Sequence, residues 1–305
     1  MIKTNAMKTL VISLMALGAL AAMPAHADTL EIQGSATAGT TNDTFGPTTD
    51  TSYIGDGASS VDAAGNFASA DAWGNSHGTY RSSTYGEGYF DSTATFHRTL
   101  SIINSSAYAT QYTMNFFIYY GSLNINGYTT GTASYDLNIN KVNGATTSLF
   151  ASGATLDASG SVVQTGQALD GAGTGALGAG HSYSWNGTNI SRDLGILDAG
   201  GMMTIHFDLT TTARGILPSG SGLCGLAEAP VSDAAAALTV VDPAFQCASI
   251  YASLGDPSDI EPDTRMPMNA VFGITSTPAN PIPLPGTLSL VGVGLAALGL
   301  ARRRH

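Results

Sequence analysis

Residues that could carry acid–base chemistry are few and scattered in this sequence. His97 and His206 occupy outward positions of predicted strands, where an imidazole is ordinarily solvated. No serine occupies a Gly-x-Ser-x-Gly elbow, and the zinc-protease motif His-Glu-x-x-His does not occur. Any two of the aspartates could form the carboxylate pair of a glycosidase, but no spacing selects a particular pair. The sequence therefore predicts a protein that is not an enzyme, with a secreted glycan hydrolase as the third of three readings.

The densest cluster of carboxylates lies near the C-terminus. Four oxygen-bearing side chains within eight residues could bind Ca²⁺, the one cofactor for which the sequence offers weak candidates. They are Asp256, Asp259, Glu261 and Asp263. Their spacing matches no EF-hand loop and no glycine-rich repeat, so a solvated acidic loop is the simpler interpretation, and we expect no metal and no cofactor.

A glycine pattern between residues 173 and 178 formally matches a dinucleotide-binding fingerprint. Those glycines bind a pyrophosphate only between a buried strand and a helix, and no such elements flank Gly173, Gly175 and Gly178 here. The stretch 171–180 is better described as a surface loop of low complexity.

Five aromatic residues could stack on sugar rings, because each combines a flat apolar ring with a polar group. They are Trp73, Tyr80, Tyr85, Tyr89 and Trp185. Packing in a hydrophobic core is the competing interpretation for most of them.

The two cysteines, Cys224 and Cys247, enclose 22 residues. In an exported chain an even number of cysteines favours a disulfide, which would contribute about 3 kcal/mol by restricting the unfolded chain. Two free, buried thiols are the alternative.

The charge of the chain is distributed unevenly. Five of the 11 basic residues lie at the two ends, while all 22 acidic residues lie between residues 28 and 263, so the central part is strongly acidic. Binding to nucleic acid requires Lys and Arg against the phosphates. We therefore expect no nucleic-acid partner; calcium, cationic groups or solubility suit this charge better.

Alternation of apolar and polar residues with a period of two predicts β-strands through the middle of the chain. The clearest runs are 90–102, 108–120, 133–139 and 203–213, separated by turn residues such as Asn126-Gly127 and Asn143-Gly144. We predict an all-β fold, an antiparallel, jelly-roll-like β-sandwich. Residues 33–70 give a weak signal for strand or loop, and one helix is expected near 232–238.

The N-terminus has the three parts of a secretory signal peptide. Lys3 and Lys8 precede an apolar run over 10–22, and Ala25 and Ala27 provide the small residues that signal peptidase requires. The apolar run has 13 residues, whereas a spanning helix needs about 20. We expect a signal helix that is removed before Asp28.

The C-terminus has an equally distinct pattern. A proline-rich stretch includes Pro283, Leu284, Pro285, Gly286 and Thr287 and leads into an apolar run over 288–301. Arg302, Arg303 and Arg304 follow it and would hold the far end of a helix on the cytoplasmic side of the inner membrane. A plain membrane anchor is the alternative to a sorting signal.

This three-part tail resembles the PEP-CTERM sorting signal of Gram-negative bacteria, which exosortases recognise. The resemblance covers Pro281 to His305, with Pro283-Leu284-Pro285 in place of the Pro-Glu-Pro of the family. The leucine is closer to a related variant that runs Val-Pro-Leu-Pro-Ala, so the exosortase subtype stays open. The resemblance implies exosortase as a partner, transient anchoring in the inner membrane, and a link to exopolysaccharide and biofilm.

These observations divide the chain into a signal peptide (1–27), a β-sandwich domain (28–278) and a sorting segment with a hydrophobic helix (279–305). We expect a non-catalytic cell-surface or matrix protein, exported by a Gram-negative bacterium and associated with exopolysaccharide. A secreted carbohydrate-binding module is the second reading.

Overall fold

The computed structural model describes residues 25–177, 180–216, 248–255 and 272–279, and in these ranges it contains seventeen β-strands and no helix. In chain order the strands are β1 (Ala25–Ala38), β2 (Thr41–Asp50), β3 (Tyr53–Val61), β4 (Phe67–Asn75), β5 (Tyr80–Glu87), β6 (Phe90–Ile103), β7 (Thr110–Ile118), β8 (Gly121–Asn126), β9 (Gly131–Asn143), β10 (Ala145–Asp157), β11 (Val162–Gly166), β12 (Gly173–Leu177), β13 (Gly180–Trp185), β14 (Thr188–Leu197), β15 (Met202–Gly215), β16 (Ser249–Gly255) and β17 (Phe272–Pro278). The prediction of an all-β fold is confirmed.

The strands form three antiparallel sheets. Sheet A has the order β11-β10-β9-β15-β6-β1-β2, sheet B the order β12-β13-β8-β16-β5-β4-β3, and sheet C the order β14-β7-β17. The connection from β5 to β6 crosses between sheets, and β2 and β3 lie side by side at the edges of sheets A and B. The result is a sandwich-like fold, as the sequence predicts.

Sheet A is built around β6 and β15, which pair along 14 residues each without a break in register. Along both strands buried side chains alternate with partly exposed ones, the pattern of a strand with one face in the core and one in water. Apolar residues such as Phe96 and Leu209 point inward, and Thr95 and Thr210 point outward.

An aromatic cluster joins sheet B to the inner face of sheet A. The ring of Tyr80 in β5 lies 4.6 Å from that of Phe207 and 6.0 Å from that of Phe96. Burial raises the pKa of the Tyr80 hydroxyl well above its usual range. The close fit of the layers also requires Gly74, because a β-carbon there would lie 2.1 Å from the Phe96 ring.

Sheet C packs on sheet A near β9 and β10. The Phe116 ring of β7 meets Phe150 of β10 edge to face at 5.9 Å. The Lys141 ammonium donates to the carbonyl of Leu194, and Arg192 Nε donates to the carbonyl of Leu149. These bonds tie β14 to the β9–β10 hairpin.

The turns follow the predicted residue types. Gly127 and Gly144 both have positive φ, the conformation that the Asn-Gly pairs indicate. Gly121 begins β8, after β7 has ended at Ile118.

Two weakly predicted regions are more regular than the sequence indicates. Residues 33–70 belong almost entirely to β1–β4, in which small residues such as Ala36, Ala58 and Ala68 fill the buried positions. Residues 173–177 form the edge strand β12 rather than a loop, because they pair with β13. The helix expected near 232–238 lies outside the described residues.

A buried ion pair lies on the inner face of sheet A. Arg98 Nε and Nη2 donate to the two carboxylate oxygens of Asp28 at 2.9 and 2.6 Å, and Nη2 also donates to the Ser76 carbonyl. The exposed fractions of the two side chains are 7% for Arg98 and 12% for Asp28. A charge buried this deeply requires its partner.

We expect Asp28→Asn to reduce the free energy of unfolding by about 3–5 kcal/mol, because the buried Arg98 charge would lose the carboxylate that accepts two of its hydrogen bonds. The matched control is Asp91→Asn, which removes the partner of Arg214, a side chain that is 62% exposed. That substitution should cost only about 0–1 kcal/mol. Urea denaturation measures both losses, and losses of equal size would contradict the burial argument.

Candidate functional site on the outer face of sheet A

The outer face of sheet A carries mostly polar side chains along its two central strands, β6 and β15. We call this surface the polar face; its outward polar residues in β6 and β15 are Asp91, Thr93, Thr95, His97, Thr99, Ser101, Thr204, His206, Asp208, Thr210, Thr212 and Arg214, and the facing pair Ile103 and Met202 ends it with exposed apolar side chains. Threonine suits these positions, because β-branched residues pack well on a half-exposed sheet. The neighbouring strands β1 and β9 add more hydroxyl, amide and carboxylate groups.

Four of these residues form a hydrogen-bond network. His97 Nδ1 bonds the carboxylate of Asp208, its direct neighbour across the strand pair. The Thr99 hydroxyl lies 3.0 Å from His97 Nε2 and 3.2 Å from His206 Nδ1, and the two imidazole rings are stacked at 5.7 Å. Both nitrogens of His97 are therefore engaged.

The electrostatics of the network favour a protonated His97. The hydrogen bond that His97 donates to the Asp208 carboxylate raises the pKa of His97, burial opposes that shift, and the charges of Asp208 and Glu31 add to it. The His97 side chain is 31% exposed, so solvent can still exchange its proton.

The order hydroxyl, imidazole, carboxylate is also that of nucleophilic hydrolases. Here, however, Thr99 is shared with a second imidazole and lies on an open strand face rather than in a cleft. The arrangement can hold a proton and offer hydroxyl, imidazole and carboxylate groups to a polar ligand. It corrects the expectation that His97 and His206 are simply solvated, since both are partly buried and bonded.

A second ion pair and a shallow depression lie towards one end of the polar face. Arg214 pairs with Asp91 directly across the strands. Beside it is a depression of about 350 Å³, whose lining includes Thr130, Thr132 and Asp157.

The structure locates only some of the residues singled out from the sequence. Ala25, Ala27 and Asp28 lie in β1, where the backbone of 25–27 pairs with 101–103 of β6. The sorting residues (Pro283, Leu284, Pro285, Gly286, Thr287, Arg302, Arg303, Arg304), the cysteines Cys224 and Cys247, and the calcium candidates Asp256, Asp259, Glu261 and Asp263 lie outside the described residues.

The candidate stacking residues are mostly part of the core. Trp73, Tyr80 and Trp185 are at least 94% buried, and the Trp185 indole donates to the Tyr119 carbonyl. Tyr85 is partly buried and donates to Glu87, and Tyr89 is 52% exposed. Core packing therefore accounts for three of the five.

Sequence reasoning did not find the His97–Asp208 network. The sequence does place the four residues of the network on polar strand faces. His97 and Thr99 share one face of a predicted strand, and His206 and Asp208 share one face of another. Only the register of the pairing brings His97 opposite Asp208, and the alternation does not specify that register.

Comparison with known proteins gives no assignment: no family model matches the chain, and no curated protein matches it. In the described ranges, no helix has the length and apolar character of a membrane span. Nor do these ranges contain three His, Cys, Asp or Glu side chains grouped as metal ligands.

We expect Asp208→Asn to lower the pKa of His97, because the amide cannot stabilise the imidazolium while burial still opposes it. Proton NMR titration of the imidazole measures this, with Asp136→Asn as a control on the same face. An unchanged His97 pKa in the Asp208 variant would contradict the assigned cause.

The loss of stability caused by Asp208→Asn should itself depend on pH. Because the pKa of His97 is raised in the folded protein, its stabilisation is present below the unfolded value of about 6.5 and is lost as pH rises through the folded value. Asp208→Asn should therefore destabilise the protein more near pH 5.5 than near pH 9.

Proposed function

We propose that this chain is an exported, non-catalytic surface or matrix protein of a Gram-negative bacterium, sorted by an exosortase and associated with exopolysaccharide. The observation that carries the proposal is the three-part C-terminal segment: prolines around Pro283, a short apolar run, and Arg302 to Arg304. Signal peptidase, exosortase and transiently the inner membrane are the partners that this segment and the N-terminus imply.

The position of strand β17 supports this division of the chain. The strand ends at Pro278, and the Ala279 amide donates to the Ala109 carbonyl. In the sequence, the proline-rich stretch that begins at Pro281 follows this strand closely.

The buried ion pair of Asp28 is compatible with cleavage before this residue, although residues 25–27 also pair with β6. Asp28 is the first residue that the processed chain would retain, and its carboxylate holds the buried Arg98. Removal of residues 1–27 would therefore leave the internal ion pair in place.

The polar face supports an association with polysaccharide. Its hydroxyl, amide and imidazole groups can both donate and accept hydrogen bonds, which suits the hydroxyls of sugars. The same observation favours the second candidate, a secreted carbohydrate-binding module. The two differ in the tail, since only a sorted protein requires the C-terminal signal.

We also propose a jelly-roll-like arrangement for the sandwich. Strand β5 pairs with β16 in sheet B, while β6 pairs with β15 in sheet A. The consecutive strands β5 and β6 therefore lie in different sheets, and so do β15 and β16. Such pairs that bridge the two sheets favour a jelly roll. Nucleic acid is not among the proposed partners, because the acidic central part of the chain would repel its phosphates.

We expect the surface form of the protein to lack residues beyond the Pro283–Pro285 region. The apolar run of 14 residues would rise only about 21 Å, against a hydrocarbon core of about 30 Å, so it suits a processing intermediate better than a permanent anchor. Mass spectrometry of the C-terminal peptide from surface material measures this.

The control replaces Arg302, Arg303 and Arg304 with serine, which should leave the tail uncleaved because the helix end is no longer held at the cytoplasmic side. An intact Ala301–Arg302 junction on most wild-type molecules would refute exosortase processing and leave a simple anchor.

A further inference from the structure

Six hydroxyl side chains lie in one line across sheet A. The register places them on six adjacent strands, from β2 at one side to β10 at the other. We call them the hydroxyl row: Thr44, Ser35, Thr93, Thr212, Ser134 and Thr155. With a strand spacing of about 4.8 Å, the row is about 24 Å long.

The hydroxyls of this row have unused hydrogen-bonding capacity. In the part of the chain that the structure describes, none of the six side-chain oxygens bonds another protein group. In the next facing pair along β6 and β15, by contrast, the hydroxyls of Thr95 and Thr210 bond each other at 3.1 Å. Thr99 is likewise engaged by two imidazoles. The row therefore presents free donors and acceptors to solvent.

The row carries no charge, and the cations nearest to it on β6 and β15 are already neutralised. Arg214 is paired with Asp91, and His97 is paired with Asp208. An anionic polymer would find no free cation there, and the acidic chain would repel it. The acidic chain attracts a polycation in general, but the row itself contains no carboxylate that would hold one there. The chemistry complementary to the row is a neutral chain of hydroxyl groups.

The geometry points to a linear chain that runs across the strands. Each strand contributes one hydroxyl, so a repeating ligand meets one group per strand along the 24 Å row. We propose that the hydroxyl row binds a linear, uncharged polysaccharide lying perpendicular to the strands. This inference rests on the proposed association with exopolysaccharide and specifies its ligand class and its orientation.

The test measures binding of the processed protein to three soluble probes: mixed-linkage β-glucan as the neutral chain, alginate as the anionic one and chitosan as the cationic one. We expect the glucan to bind through the row and alginate not to; the acidic chain attracts chitosan, so its binding should not depend on the hydroxyls of the row. Binding of glucan oligosaccharides should strengthen with length until the chain spans about 24 Å. A preference for alginate, chitosan binding that falls when the hydroxyls are removed, or no binding of the glucan would overturn the inference.

Thr93→Val and Thr212→Val remove the central hydroxyls of the row and keep the β-branched shape that suits a strand. Each should weaken glucan binding about fivefold, and the double variant about 25-fold, as expected for one hydrogen bond lost per site. The matched control is Thr174→Val on exposed strand β12 of sheet B, which should bind like the wild type.

Serine variants at the same positions show whether a loss of binding comes from the missing hydroxyl or from a disturbed fold. Thr93→Ser and Thr212→Ser keep the hydroxyls and should retain wild-type affinity, whereas valine should not. A double valine variant that binds as tightly as the wild type would refute the role of the row. A processed protein that binds no glucan refutes this inference alone, while an unprocessed tail on surface material refutes the proposed sorting.

Discussion

The register between β6 and β15 is the constraint on which the rest of the described structure depends. The two strands pair along 14 residues each, and every inward position of one meets an inward position of the other. A slip of one residue would turn Phe96, Leu209 and their neighbours into water and the threonines into the core. The cost of exposing that apolar surface holds the two strands, and through them sheet A, in one arrangement.

The same register organises the polar face. It places His97 opposite Asp208 and Arg214 opposite Asp91, so the charges on the central strands are paired with each other. It also aligns Thr93 with Thr212 and extends that line through Ser134 and Ser35. The buried core and the proposed binding surface are therefore two faces of one pairing, and a substitution inside can change the surface outside.

Alternation in the sequence was sufficient to predict an all-β, sandwich-like fold and the inward sets of 90–102 and 203–213, since period two reports burial on one side. It could not predict which strands are neighbours, because pairing depends on contacts distant in sequence. For that reason His97 and His206 were expected to be solvated, and the hydroxyl row was not visible. Small residues carry little hydrophobic signal, so β2 and β3 were predicted only weakly, and residues 173–177, which form β12, were expected to be a loop.

The most direct test of the polar face as the proposed binding surface is chemical labelling of arginines with phenylglyoxal, in the presence and absence of the exopolysaccharide of the producing cell. Arg214 lies on the polar face two residues from Thr212 of the hydroxyl row, whereas Arg192 lies on β14 of sheet C and serves as the internal reference. The account predicts that polysaccharide slows labelling of Arg214 and leaves the labelling rate of Arg192 unchanged. Unchanged labelling of Arg214, or protection of Arg192 alone, would contradict it.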